Sequence, residues 1–127
     1  WTGNLNDDQY VEQCWFSGAH SDIGGGYEKC GLADIALQWM LFKASALGLE
    51  FNDNYLLELC KPDLTMQPHN SYSAGYKLLD KLGAGESVRR LFGDPNNPPI
   101  NISIHDSVYQ RIAAGQYQPQ NPDFPAT

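Results

Sequence analysis

The chain has 127 residues, a length that fits one domain and leaves little room for two. Apolar residues make up 42% and aromatic residues 12%, which is enough for a hydrophobic core and excludes the intrinsically disordered class. Eight basic and fifteen acidic side chains give a formal net charge of −7. Because such a surface repels phosphate groups, we expect neither nucleic-acid binding nor electrostatic attachment to anionic lipid.

The sequence also disfavours a membrane span and a metal site. No stretch approaches the roughly 20 apolar residues that a transmembrane helix needs, so no span is expected. The three cysteines, Cys14, Cys30 and Cys60, are widely spaced and form no Cys-x-x-Cys pair. This favours free thiols in a reducing, cytoplasmic compartment over a zinc site or a disulfide framework, and no cofactor is expected. The absence of an initial Met and of a signal-peptide pattern predicts a start inside a longer protein.

The first half of the chain predicts a strand, a loop and a long helix. Residues 10–16 place Tyr10, Cys14 and Phe16 at even spacing, which is typical of a strand ending at 17–18. Residues 19–27 contain three consecutive glycines and predict a loop. Apolar residues recur every three or four positions over 32–47, before Gly48, and predict a helix buried on more than one side.

The second half predicts shorter elements with no linker that would divide the domain. Asn52 and Asp53 precede a short helix that Pro62 closes, and Gly115 ends a last helix. Residues 100–104 alternate with period two, so either a strand or an extended strap is expected there. The predicted helices are 55–60, 74–82, 86–92 and 108–114, the last capped by Asp106 and Ser107, and the proline-rich residues 94–99 form turns.

The glycine-rich loop holds the main candidate for chemistry. His20 lies between a strand and a long helix, where α/β enzymes place exposed catalytic side chains. The alternative is a histidine that only forms hydrogen bonds within a tight turn. Asp22 either orients the His20 imidazole or accepts backbone N–H groups in an Asx turn. Likewise, the glycines 24–26 either shape a substrate loop or only lead the chain into the helix.

Two stretches of sequence resemble a known family. Residues 15–27 are Trp-Phe-Ser-Gly-Ala-His-Ser-Asp-Ile-Gly-Gly-Gly-Tyr, and residues 32–40 are Leu-Ala-Asp-Ile-Ala-Leu-Gln-Trp-Met. A weaker match covers Ile-His-Asp-Ser-Val at 104–108, Arg111 and Tyr-x-Pro-x-Asn at 117–121. These motifs resemble the α/β-hydrolase family DUF2235, which includes Tle1-type phospholipase effectors of type VI secretion. The resemblance implies an α/β fold of which this chain is the C-terminal part, mostly helical with one strand before the His loop.

The resemblance also assigns roles to residues. His20 falls on the family's catalytic histidine, the general base of a serine esterase or phospholipase. The surrounding loop, which would contact a lipid or ester substrate, comprises Ser21, Asp22, Gly24, Gly25 and Gly26. The family's serine and triad aspartate lie upstream of this region, and the chain has no Gly-x-Ser-x-Gly elbow. The resemblance therefore implies that an N-terminal half is missing.

The two remaining histidines are predicted to be structural. His105 is followed by Asp106 and Ser107, but adjacent side chains diverge and cannot form a triad, so it is expected to start a helix. His69, between Pro68 and Asn70, is expected to be an exposed loop residue. A cation site around Asp22 is disfavoured because calcium loops repeat acidic residues at alternating positions. The rival to a hydrolase is a non-catalytic acidic interaction module that keeps the family fold.

Loss of the other half would leave surfaces that associate. The strand over 10–16 and the helix over 32–47 are expected to pack on residues outside this chain. An unpaired strand edge and an apolar patch of Trp15, Phe16, Trp39 and Phe42 would remain. We therefore expect as partner either the missing half of the domain or a second copy of the chain.

The 127-residue chain alone should show no serine-dependent esterase activity, because a base without its nucleophile gives only weak acceleration. The purified chain can be assayed with a p-nitrophenyl ester before and after treatment with a serine-directed fluorophosphonate. Turnover that the reagent abolishes would contradict the prediction.

Overall fold

The computed structural model describes residues 1–69 and 89–125. We number their elements in chain order, as β1 Gln13–Trp15, α1 His20–Gly24, α2 Gly31–Ala46, α3 Asp53–Leu59, β2 Ile102–Ile104 and α4 Asp106–Ala113. The predicted helix over 74–82 lies outside the described residues, as does the first part of the one over 86–92. The last four residues of that second helix, 89–92, are not helical. Assignment to the α/β-hydrolase class stays a prediction.

The described residues fall into two compact units. The first comprises residues 1–15, 89–105 and 118–125, and contains both strands. The second comprises residues 16–69 and 106–117, and contains the helices named above. No helix in the described parts of the chain is long and apolar enough to cross a bilayer.

In the first unit, β1 pairs with β2 in parallel, with Cys14 opposite Ser103. We expected the strand over 10–16 to pack on residues outside this chain, and its pairing with β2 corrects that expectation. The pairing is also shorter than the predicted strand over 10–16. It cannot extend further towards the start of β2 because Asn101 has a left-handed φ of 49° and Pro99 has no N–H to donate.

In the second unit, α2 confirms the predicted long helix to within one residue at each end. Its first six residues, 31–36, are buried, and Trp39 further along meets Phe16 edge-on with ring centroids 6.0 Å apart. The later turns are half-buried or exposed, so the expectation of burial on more than one side holds only for the beginning of the helix. Of the four aromatic residues expected to form an exposed patch, Phe42 is 71% exposed and Trp15, Phe16 and Trp39 are half-buried.

The loop predicted over 19–27 contains a short helix instead, α1, which packs against α2. The reason is local. Asp22, at the third position of α1, accepts the N–H of Ala19 at 2.9 Å and so satisfies a donor that a helix start otherwise leaves unpaired. The glycines come at the end of this helix rather than inside it, so they terminate the turn without preventing it.

The other two helices lie where the sequence predicts them, but each begins earlier than predicted. The side chain of Asn52 caps α3 by accepting the N–H of Tyr55 at 3.1 Å. In α4, Asp106 and Ser107 form the first turn instead of capping it, and Gly115 follows with a left-handed φ of 67°. Buried Arg111 of α4 donates from Nη1 to the carbonyl oxygens of Leu64 and Met66, at 2.6 and 2.7 Å.

Residues 61–69, which we call the connecting segment, have no helix or strand but are held by polar contacts. Buried Asp34 of α2 accepts the N–H of Lys61 at 2.9 Å, and the carbonyl of Gly31 accepts the N–H of Asp63 at 3.0 Å. A Cβ at Gly31 would lie 2.7 Å from Cβ of Asp63, so this approach needs glycine. Together with the Arg111 bonds, these contacts fix the segment to α2 and α4.

The three cysteines are free thiols, and two of them contact Asp34. Sγ of Cys30 lies 3.3 Å from Oδ2 of Asp34, and Sγ of Cys60 lies 3.6 Å from the Asp34 carbonyl oxygen. The hydrogen bond to the carboxylate, with burial, raises the pKa of Cys30, and burial is the main cause that raises the pKa of Cys60. Both thiols therefore stay protonated to higher pH than an ordinary cysteine.

Asp34→Asn should speed alkylation of Cys30 several-fold at pH 8. The substitution keeps an acceptor of the same shape but removes the negative charge that raises the thiol pKa, so more thiolate forms. Site-resolved mass spectrometry after brief iodoacetamide treatment measures the rate, with Asp53→Asn on the exposed surface of α3 as the control. Equal Cys30 rates in Asp34→Asn and in the unsubstituted chain would contradict the assignment.

Candidate functional site

His20 is the first residue of α1, and its side chain is exposed to solvent. It follows the end of β1 after a short turn that contains Gly18. Because the ring is exposed, it is accessible to a substrate. The assignment of His20 as a general base stays a prediction.

Asp22, two residues further on, is 2% exposed. Residues two apart on a helix point in different directions, which explains why His20 faces solvent and Asp22 faces the interior. Oδ2 of Asp22 accepts the N–H of Ala19 at 2.9 Å and the N–H of His69 at 3.0 Å. Oδ1 lies 2.6 Å from Nδ1 of His69. The buried carboxylate thus joins the start of α1 to the end of the connecting segment.

His69 is half-buried, and the expectation of an exposed loop residue is wrong. Its side chain is 30% exposed, and its ring stacks on Tyr27 with centroids 3.9 Å apart and planes at 25°. Tyr27 directly follows the glycines 24–26, so His69 contacts α1 at Asp22 and the chain after α1 at Tyr27. Nδ1 is engaged by Asp22, which is the arrangement that fixes the orientation of an imidazole ring.

The glycines around α1 have different roles. Gly18 has a φ of 146°, and a Cβ there would lie 2.6 Å from Cβ of Asp22, so only glycine allows the two backbones to approach this closely. Gly25 and Gly26 have φ values of 82° and 114° and turn the chain after α1. Gly24 has an ordinary φ and open space around it. Ser21 is half-buried within α1.

A buried cation, Arg111, lies in the same unit and interacts with the charge of Asp22. Arg111 is 1% exposed, and burial lowers the pKa of its guanidinium, while the charges of Asp63 and Asp22 act in the opposite direction. Its Nε and Nη2 find no acceptor among the residues that the structure describes. Attraction to Asp22 and Asp63 offsets part of the cost of burying this charge.

The remaining candidates from the sequence lie elsewhere. His105 sits between β2 and α4 and donates its backbone N–H to the carbonyl of Trp15 at 2.9 Å, in agreement with its predicted place at a helix start. Over residues 1–69 and 89–125, no three His, Cys, Asp or Glu side chains come close enough together to hold a metal ion.

The pairing of Asp22 with His69 is the part of the site that sequence reasoning missed. The two residues are separated by 47 positions, and His69 lies in a stretch without periodicity. No local pattern could have joined them. The only available signal was the presence of an acidic residue inside an apolar, glycine-rich segment, where a buried carboxylate needs a distant donor.

Gly18→Ala should lower the free energy of unfolding by about 1–3 kcal/mol, because the added methyl group displaces Asp22 from its hydrogen bonds. Gly24→Ala is the matched control, since its Cβ meets open space and alanine favours the helix. Urea unfolding measures both. Equal stability of the two variants would show that the contact between Gly18 and Asp22 is not tight.

Comparison with known proteins gives one match. Residues 2–43, which include β1, α1 and most of α2, match a family model described as T6SS, Phospholipase effector Tle1-like, catalytic domain. No curated protein and no solved structure matches the chain. The segment that carries His20 and Asp22 is therefore similar to the catalytic domain of a phospholipase effector family.

Proposed function

We propose that this chain is part of a phospholipase-like serine hydrolase and that it supplies the general base, His20. The observation that carries the proposal is the exposed His20 side chain on a short helix anchored by buried Asp22, inside the segment similar to a phospholipase catalytic domain. An exposed base on a rigidly held turn is what attack on an ester requires, because substrate must reach the ring while the backbone stays fixed.

The proposed reaction moves one proton between three groups. His20 takes the proton from a serine hydroxyl as its oxygen attacks the ester carbonyl, then gives it to the departing alcohol oxygen. Water then attacks the acyl-serine in the same way: His20 takes a proton from the water and gives it to the departing serine oxygen, which releases the acid. The chain has no Gly-x-Ser-x-Gly elbow, so the nucleophile and the triad acid lie outside these residues in this proposal. This corresponds to the C-terminal part of a DUF2235-type domain, with the other part of the hydrolase as its partner.

The substrate class follows from the family similarity and is consistent with the surface of α2. Leu37, Met40 and Phe42 are 42%, 56% and 71% exposed on that helix. Apolar side chains at the surface of a lipid-acting enzyme can contact acyl chains. We therefore propose a lipid ester as the substrate. The free thiols fit a reducing compartment, which we propose as the location of the chain.

His69 is the second candidate for the base. Its Nδ1 lies 2.6 Å from a buried carboxylate, an arrangement that also orients the histidine of a catalytic triad. His20 is favoured because it lies within residues 2–43 and His69 does not. An acidic interaction module without catalysis is the alternative to both.

In the hydrolase that combines this chain with its serine, His20→Ala should lower kcat by a factor on the order of 10⁴ or more, because the base is lost. Thermal stability should change little, since the side chain is exposed. Glu28→Ala, at another exposed position shortly after α1, is the matched control and should keep normal activity.

The measurement is steady-state hydrolysis of a p-nitrophenyl ester and of a phospholipid by each purified variant. A His20→Ala enzyme with a near-normal rate on both substrates would refute His20 as the base.

A further inference from the structure

We propose that His69 is a positioning residue for His20: paired with Asp22, it holds both ends of the loop that carries the base. The inference rests on the proposed function in that His20 is the group positioned. It concerns a residue outside the segment similar to the phospholipase domain, and it is derived from the contacts of the second unit alone.

The first step is the carboxylate that links His69 to the backbone beside His20. Oδ2 of Asp22 accepts the backbone N–H of Ala19, the residue immediately before His20, and also the backbone N–H of His69. Oδ1 of the same carboxylate is bonded to the His69 ring at 2.6 Å. Because Asp22 is almost fully buried, loss of any one partner leaves a charged acceptor with fewer donors, and the group must move to regain them.

The second step is the contact on the far side of α1. The His69 ring stacks on Tyr27, which follows the glycine turn. One side chain therefore touches the loop before His20 through Asp22 and after it through Tyr27. A short helix of five residues has few internal hydrogen bonds, so its direction depends on such contacts at its ends.

The third step is the fixed position of His69 itself. The connecting segment that ends at His69 is bonded to α4 through Arg111, which donates to the carbonyls of Leu64 and Met66. Arg111 is buried, and its charge attracts that of Asp22. The contacts thus run from α4 to the connecting segment, then to His69 and Asp22, and finally to the backbone beside His20.

Three substitutions at His69 separate positioning from catalysis. An asparagine amide places an N–H close to where Nδ1–H of histidine lies, so His69→Asn can donate to Asp22 but cannot take up a proton at neutral pH. His69→Gln carries the same amide one methylene further out, where it does not reproduce this bond. His69→Ala removes both the bond and the stacking on Tyr27.

We expect His69→Ala and His69→Gln to lower kcat about 10- to 100-fold with little change in KM, because the base is displaced while substrate contacts remain. His69→Asn should recover to within a few-fold of the unsubstituted hydrolase. If His69→Asn is as inactive as His20→Ala, then His69 is the base and the inference is overturned. It is also overturned if His69→Ala keeps a normal rate.

A second measurement does not depend on activity. Hydrogen exchange of the Ala19 amide, whose N–H is bonded to Asp22, should become faster in the 127-residue chain carrying His69→Ala and return towards normal in His69→Asn. Lys29→Ala, on the exposed surface, is the control. Unchanged exchange in His69→Ala overturns the inference, whereas a normal rate for the His20→Ala hydrolase refutes only the proposed function. Circular dichroism shows that each variant is folded.

Discussion

The buried carboxylate of Asp22 is the interaction on which the second unit depends. An ionised carboxylate out of water is costly unless donors surround it, and here they come from the Ala19 backbone, the His69 backbone and the His69 ring. The opposite charge of Arg111 adds to this. Because the donors are far apart in sequence, satisfying one acid requires the start of α1 and the connecting segment to come together.

This arrangement gives a segment without regular structure a defined position. The connecting segment is tied to α2 by Asp34 and Gly31 and to α4 by Arg111, and each bond uses a backbone group that a helix or strand would otherwise satisfy. The side chains of Asp34 and Arg111 are buried, so water does not compete for these hydrogen bonds. The segment can therefore hold His69 without regular structure of its own.

The short helix α1 meets two requirements that conflict at a catalytic site. A proton-transferring ring must reach substrate, whereas the group that fixes its backbone is best protected from water. His20 and Asp22 lie two positions apart, so the helix presents one to solvent and directs the other inward. Gly18 permits this geometry because any larger residue would collide with Asp22. Access and rigidity are thus provided by one turn of a short helix.

The sequence alone determined the elements whose signals are local: α2 from its apolar periodicity, α3 from its Asn52 cap and α4 with Gly115 after it. It also directed attention to His20 through the loop motif. The tertiary structure decided the rest: the length of β1 and the pairing of Asp22 with His69. Caps and periodicity act within a few residues, so the sequence shows them directly. The hydrogen-bond donor of a buried carboxylate, however, can come from any segment that the fold brings close to it. Its identity is therefore fixed only by the tertiary structure.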